Sequence, residues 1–245
     1  MLKNKNAIVT GCNRGIGRVI VEEFAKNGAN VWACARTPNA EFEAYLAELS
    51  AKYNVWLKPV YFDLCDAAAL KSAVQSIFKE KLPVDILVNC AGVAHGGLLS
   101  MTTMEKLKEV FEVNYFSSVY LMQLVSKIMM KQKSGNIINI ASVGGIETNA
   151  GYLAYGSSKA ALIWATKSVS RELGKYNIRV NAVAPGLTKT QMGGYKNAEE
   201  LEKTIQRTSL QRMAEPIEIA NTVVFLASNV SSFVTGHILG VDGGR

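Results

Sequence analysis

Tyr155 and Lys159 stand four residues apart in Tyr155-Gly-Ser-Ser-Lys159, at the head of the apolar run Ala160-Ala-Leu-Ile-Trp-Ala165. On an α-helix, residues at this spacing are about 40° apart around the axis and about 6 Å apart along it, so they share one face. A phenol and an ammonium on one face can serve a single proton transfer. The cation stabilises the phenolate and lowers a pKa that is otherwise about 10. Such pairs are also common on solvated helices, so this one gains meaning only from the residues around it.

The second stretch with chemical potential is Gly11-Cys-Asn-Arg-Gly15-Ile-Gly17, between the β-branched run Asn6–Thr10 and the amphipathic segment Arg18–Lys26. Glycines let such a turn reach positive φ and let backbone N–H groups approach a phosphate, while the following helix N-terminus favours negative charge. The spacing is Gly-x-x-x-Gly-x-Gly, and its place after a first strand makes it a dinucleotide-binding signal. Gly11, Asn13, Arg14, Gly15, Ile16 and Gly17 form the expected phosphate-side set. An acidic residue about 20 positions on would hydrogen-bond the adenosine ribose hydroxyls of NAD. Here, 18 positions beyond Gly17, the chain reads Ala35-Arg36-Thr37. A guanidinium suits a 2′-phosphate, so Arg36, with Thr37 beside it and Arg14 as a second cation, points to NADP(H).

These groups need elements to hold them. Strand patterns occur at Asn6–Thr10, Asn30–Ala35, Val55–Phe62, Ile86–Asn89, Asn136–Ile140, Ile178–Ala184 and Gly236–Asp242. Helical patterns lie between them: Arg18–Lys26, Ala40–Lys52, Ala67–Lys79 with Asp66 as N-cap, Thr103–Lys131 with a bend near Asn114, the Tyr155 segment to Leu173, and Pro216–Leu226. Most strands are continuous apolar runs, the pattern of a parallel sheet covered on both faces. The expected fold is α/β: a single doubly wound Rossmann-type domain over residues 1–245, with a seven-stranded, mostly parallel sheet and helices on both faces. Ligands in such folds bind beyond the carboxyl ends of the strands. The polar segment Leu187–Gln211, with Gly193 and Gly194, suits a mobile cover over the substrate.

The bulk properties narrow the class. At 245 residues, 49% hydrophobic and 19% charged, the chain can bury a sizeable core. It has no apolar run near the roughly 20 residues of a membrane helix, and no signal peptide is visible. Cys12, Cys34, Cys65 and Cys90 form no CxxC pair, which fits free thiols in a cytoplasmic protein and neither disulfides nor a metal site. The net charge of +7 is scattered, which gives nucleic acid little support; it fits an anionic cofactor or an acidic partner equally well, and most of it reads as solvated surface. His95 and His237 have no carboxylate or cysteine at ligand spacing; neither is assigned a catalytic or metal role, though His95 falls near the expected cleft.

Taken together, these residues resemble the short-chain dehydrogenase/reductase family over the whole length, in its NADP-preferring form. Thr10-Gly-Cys-Asn-Arg-Gly-Ile-Gly17 matches the family's glycine turn. Asp63-Leu64 matches its adenine-side pair. Asn89-Cys-Ala-Gly92 matches its Asn-Asn-Ala-Gly stretch, with Cys90 as a departure. Asn114, Ser142, Tyr155 and Lys159 match its catalytic tetrad, and Pro185-Gly186 with Thr188 matches the loop beside the nicotinamide. The resemblance implies hydride transfer between a nicotinamide and a carbonyl or alcohol. Tyr155 is then the acid, Ser142 polarises the carbonyl, and Lys159 tunes Tyr155 and holds the nicotinamide ribose. Asn114 bends its helix and holds a water that links Lys159 to solvent. It further implies cofactor contacts from Asn89, Ala91 and Gly92, and a dimer or tetramer built on the Tyr155 and Asn114 helices. The Tyr155 helix is apolar nearly all round, more than one sheet face requires.

The nearest group by resemblance is the 3-oxoacyl-[acyl-carrier-protein] reductases, whose acyl-thioester substrate arrives on an acidic carrier protein. Lys131, Lys133 and Lys175 stand where that group has basic residues. Val93-Ala-His-Gly-Gly97 departs from its Thr-Arg-Asp type run. Reduction of a sugar, polyol, steroid or small ketone therefore remains an alternative. A regulatory protein that binds NADP(H) without turnover is a third, opposed by the intact Asn114, Ser142, Tyr155 and Lys159.

Overall fold

Seven apolar segments become strands β1 (Asn6–Thr10), β2 (Asn30–Ala35), β3 (Leu57–Tyr61), β4 (Ile86–Asn89), β5 (Gly135–Ile140), β6 (Ile178–Pro185) and β7 (Ile238–Val241). The computed structural model describes residues 1–192 and 198–245, so Gly193 and Gly194 lie outside the described residues. The strands form one sheet in the order β3-β2-β1-β4-β5-β6-β7, and every neighbouring pair is parallel. The chain winds outward from β1 to β3, returns to β4 beside β1, and winds out the other way. That reversal opens a crevice at the carboxyl ends of β1 and β4, the switch point of a doubly wound sheet.

Alternation along the strands feeds two cores. In β1, Ala7 and Val9 face helices α1 (Gly15–Lys26), α2 (Ala40–Tyr53) and α8 (Pro216–Ala227). Ile8 faces the other side, toward α3 (Ala67–Lys79), α5 (Ser117–Gln132) and α6 (Leu153–Leu173). A period of two is what a pleated strand imposes, and both sets are apolar because both faces are covered. Met122 and Met129 are buried in the second core, as packing residues. Asp66 caps α3 by accepting from the N–H groups of Ala68 and Ala69, and Gly28, at φ +83°, turns the chain out of α1. No helix of the described residues is long and apolar enough to cross a membrane.

The long helix expected over Thr103–Lys131 is divided. α4 (Met104–Phe111) leads into a π-helical turn, Glu112–Phe116, and then into α5. The bend falls on Asn114, whose side chain hydrogen-bonds outside its own helix. α1 starts at Gly15, not Arg18, because the glycine turn is itself its first turn. The segment expected to be irregular carries a further helix, α7 (Ala198–Gln206). Its half-buried Leu201, Thr204 and Ile205 are too few among charges to show a clear stripe in the sequence.

A buried polar chain ties three of these elements together. Asn89 Nδ2 donates to Asn139 Oδ1 (2.8 Å), and Asn139 Nδ2 donates to Thr166 Oγ1 (2.9 Å), linking β4, β5 and α6. Asn139 and Thr166 are fully buried, so an orphaned partner would find no water. Replacing Asn139 by Ala is expected to destabilise the fold by about 1–3 kcal/mol. Urea unfolding measures this, and an unchanged midpoint would show that the chain contributes nothing to stability.

Candidate active site

The cleft follows from close backbone approach at the switch point. Gly11 has φ +73°, and a Cβ there would stand 2.8 Å from Ala91 Cα. A Cβ on Gly17 would collide with the Gly11 carbonyl oxygen. Thr10 Oγ1 fastens the same crossing by accepting from Cys90 N (3.0 Å) and Ala91 N (3.1 Å). The turns after β1 and β4 are thus pinned together as the floor of a cleft of about 790 Å³. The N-terminus of α1 opens into it without a side-chain cap, whereas α2, α3 and α4 are capped by Asn39, Asp66 and Thr103. Orphan N–H groups at a helix start, reached through glycines, are a ready anion site. These features fit the phosphates of a dinucleotide.

Gly11, Asn13, Arg14, Gly15, Ile16, Gly17, Arg36 and Thr37 all line the cleft, at the end beneath β1 and β2. Asp63 and Leu64 join them from the β3 side, and Ala91 and Gly92 from β4. Arg36 is exposed and makes no ion pair among the described residues. Arg14 donates to Gln191 Oε1 (3.1 Å), drawing the segment after β6 over the glycine turn. Asn89 is a correction: it does not line the cleft, because its side chain is turned into the sheet against Asn139. It therefore acts as a prop and not as a direct contact.

At the other end stand Ser142, Tyr155 and Lys159, with Pro185, Gly186 and Thr188 beside them. Ser142 follows β5 and accepts from Gly144 N (3.0 Å), which fixes its hydroxyl; the same hydroxyl hydrogen-bonds Tyr155. The turn Val143–Gly145 lies directly on α6. A Cβ on Gly145 would be 2.7 Å from Ala160 N, and one on Gly156 would be 2.7 Å from Gly144 O. Those absent side chains let Ser142 and Tyr155 meet. Tyr152 was not among the expected residues; it lines the cleft with its ring edge-on to Tyr155, centroids 6.2 Å apart. Gly144-Gly145 after a strand and Gly156 inside a helix were the available signals, since glycine in a helix interior is unfavourable without a packing reason.

Lys159 is buried, donates to the Ile140 carbonyl (2.8 Å), and lies with Nζ 6.0 Å from the Tyr155 ring centroid. Asn114 sits behind it, outside the cleft lining. Its Oδ1 accepts from Val93 N (2.8 Å), and its Nδ2 donates to Val93 O (2.9 Å) and Ser158 Oγ (3.0 Å). A Cβ on Gly92 would be 3.3 Å from Asn114 Oδ1 and 3.4 Å from Lys159 Nζ, so Gly92 is what lets all three pack. His95 does not line the cleft; its Nε2 is buried without a partner. It lies beside Gly97, where a Cβ would come 3.1 Å from that nitrogen and 3.2 Å from Thr102 Oγ1.

The electrostatics differ from expectation. Tyr155 is raised above the usual phenol value, by burial first, with the Ser142 hydrogen bond opposing and Tyr152 adding. The protein alone does not depress it, and Lys159 is likewise destabilised as a cation. Burial brings Lys159 from 10.5 to about 8, against a smaller opposing effect of Cys90. Burial also pushes the Cys90 thiol up to about 12.

The Lys159 shift has a consequence for stability. Below pH 8 the ammonium is present folded and unfolded, and its burial is unfavourable by about 3 kcal/mol for a shift of this size. Between about 8 and 10.5 the unfolded chain binds more protons, so this lysine makes the fold more stable as pH rises. Cys34 and Cys90, pushed up from 9.0 to about 12, act in the opposite sense above pH 9. The comparison with Lys159→Met isolates the lysine. Wild-type unfolding free energy minus that of the variant, from urea titrations, is expected to rise between about pH 8 and 10.5. A flat difference would show that Lys159 is not a buried ammonium.

Comparison with known proteins agrees with this geometry. A family model described as "Enoyl-(Acyl carrier protein) reductase" matches residues 11–245. The 3-oxoacyl-[acyl-carrier-protein] reductase FabG of Aquifex aeolicus is 36% identical over 243 residues, covering 99% of this chain and 98% of the relative. A 3alpha-hydroxysteroid dehydrogenase of Mediterraneibacter gnavus is 39% identical over 245 residues, covering 99% and 97%. A double mutant of a Serratia marcescens short-chain dehydrogenase/reductase superposes with a TM-score of 0.91 at 32% identity, covering 99% of this chain and 98% of that one. Similarity of sequence and fold thus runs along the whole chain, which belongs to the short-chain dehydrogenase/reductase family.

Proposed function

We propose that this protein is an NADPH-dependent reductase that converts a 3-oxoacyl thioester, delivered on an acidic carrier protein, to the secondary alcohol. The observation that carries the reading is the meeting of Ser142, Tyr155 and Lys159 at one end of a cleft whose other end is an uncapped helix start and an arginine with no ion pair among the described residues. The bound nicotinamide supplies the hydride. Ser142 donates to the substrate oxygen and polarises the carbonyl. Tyr155 gives that oxygen its proton, and its raised pKa keeps it protonated at neutral pH. Lys159 favours the phenolate that remains, and Asn114 is a positioning residue that fixes the Gly92–Val93 backbone over Lys159.

NADP is favoured over NAD because Arg36 stands where a ribose-binding carboxylate would, exposed and without an ionic partner among the described residues. The thioester reading is supported by the FabG relatives and by Lys131, Lys133 and Lys175 at the C-terminal ends of α5 and α6, where an acidic surface would find them. The Mediterraneibacter gnavus relative keeps a hydroxysteroid substrate as the second reading. A homo-oligomer built on α5 and α6 accounts for the outward stripe of α6. It carries Ala160 and Trp164, the latter 75% exposed, with Phe116 exposed at the head of α5.

Tyr155→Phe is expected to lower turnover by about 10²–10⁴-fold while NADPH still binds, read by absorbance at 340 nm and by cofactor fluorescence. Near-normal turnover would refute the proton-donor assignment. Arg36→Asp is expected to invert the ratio of kcat/KM for NADPH over NADH, and an unchanged ratio would refute the 2′-phosphate assignment. A substrate panel of acetoacetyl thioesters, a 3-oxosteroid and simple ketones separates the two substrate readings; consumption of NADPH with the steroid alone would replace the first by the second.

A further inference from the structure

Three arginines line the cleft: Arg14, Arg36 and Arg245. The first two belong to the turns after β1 and β2. Arg245 follows β7, at the opposite edge of the sheet, past Pro185–Gly186 at the end of β6. It therefore stands on the far side of the Ser142 and Tyr155 end from the nucleotide-phosphate turn.

The backbone that presents it is firmly held. Gly186 N donates to Val241 O (2.9 Å), and a Cβ on Gly186 would be 2.7 Å from Asp242 Cα. Asp242 Oδ1 accepts from Gly244 N (3.0 Å). Leu210 N donates to Gly243 O (3.0 Å), and Ser209 Oγ donates to Gly244 O (2.9 Å). Gly243 and Gly244 adopt φ of +72° and +80°, which glycine alone takes readily. The turn thus bridges the end of β6 and the Thr208–Leu210 segment.

The side chain is less well satisfied. Arg245 is only 15% exposed, yet its one ionic contact is Nε to Glu147 Oε2 at 3.4 Å, and Glu147 is 51% exposed. That separation is long for a charge-assisted hydrogen bond, and the paired Nη edge of the guanidinium has no partner among the described residues. A largely buried cation with one loose carboxylate is a poor structural pair and a good receptor for a planar or tetrahedral oxyanion. Glu147 lies on the loop that begins at Ser142, so the receptor sits on the wall that also carries the carbonyl-binding hydroxyl.

We propose that Arg245 is a substrate-binding residue that takes an oxyanion carried by the substrate away from its reacting carbonyl, with Glu147 as the internal group that the oxyanion displaces. The proposal rests on the reductase reading of the cleft. Two sources share the chemistry: the carboxylate of a small oxo acid, and the phosphate of a phosphopantetheine-type thioester carrier.

The test compares three 3-oxo substrates with NADPH: ethyl acetoacetate, which is neutral; acetoacetate, a carboxylate; and acetoacetyl-coenzyme A, which bears phosphate. Arg245→Gln is expected to raise KM about tenfold for one anionic substrate, leaving kcat and the KM for ethyl acetoacetate near wild type. Glu147→Gln is expected to lower KM for that same substrate by removing the competing carboxylate. Whichever anionic substrate responds names the source. Equal effects of Arg245→Gln on all three substrates, no effect on any, or impairment by both variants alike, as a mere latch would give, overturns the proposal. Calorimetric binding of acetoacetate and acetoacetyl-coenzyme A to the NADP⁺-saturated protein gives a readout independent of turnover. A wild-type protein inactive on all three substrates refutes the 3-oxoacyl reductase reading, while loss of binding in Arg245→Gln would still uphold the oxyanion site and unchanged binding would overturn it.

Discussion

A buried ammonium is the constraint from which the cleft is built. Lys159 is 4% exposed, and its ammonium donates a hydrogen bond to the Ile140 carbonyl. Charge in such a place is unfavourable unless the surroundings hold it in one position. The surroundings do this largely by omission. Gly92 and Gly145 leave room where side chains would press on the lysine or on its backbone. Asn114, turned inward by the π-helical turn, locks the Gly92–Val93 segment from behind. The Asn89–Asn139–Thr166 chain then fixes β4, β5 and α6, the three elements on which this packing stands.

Burial acts on the pair in one direction, favouring neutral tyrosine and neutral lysine. This resolves a difficulty in the simple picture of a tyrosine made acidic by its neighbour. In carbonyl reduction the reactive form of Tyr155 is the protonated phenol, and a raised pKa supplies it at neutral pH. The lysine matters afterwards, when the phenolate is left behind and an adjacent cation stabilises it. A lysine near its own midpoint at about 8 is more responsive to a new negative charge than one fixed in the charged state. The stability lost to its burial is thus coupled to its use.

Much of this was legible in the sequence, and the reason is physical. Continuous apolar strands specify a parallel sheet, the glycine turn specifies its first crossing, and Tyr155 and Lys159 specify a helix face; each is a local pattern. The strand ends matched to within two residues, and the polar cap Asp66 marked the start of α3. The illegible parts depend on what approaches in space. Asn89 reads as a cleft residue from its motif, but its side-chain direction is set by Asn139, fifty residues on. Tyr152 enters the site because Gly144 leaves its ring space and Gly97, on another loop, pairs with its backbone. Arg245 enters because β7 lies beside β6, which no local pattern near residue 245 announces. His95, beside a legible motif, turns away into its own loop.

The departure at Cys90 shows how sequence motif and geometry separate. In the family stretch that this segment resembles, an asparagine stands at that place. Here the turn is held by main-chain groups: Cys90 N and Ala91 N both donate to Thr10 Oγ1, and Gly11 fits against Ala91. The side chain at position 90 is not needed to close the crossing, so its identity can change without moving the floor of the cleft. The thiol that replaces the amide is neutral at physiological pH, pushed up to about 12, and sits near Lys159 as a small, weakly polar neighbour. Lys159 is brought to about 8 by its burial, with Cys90 acting in the opposite sense.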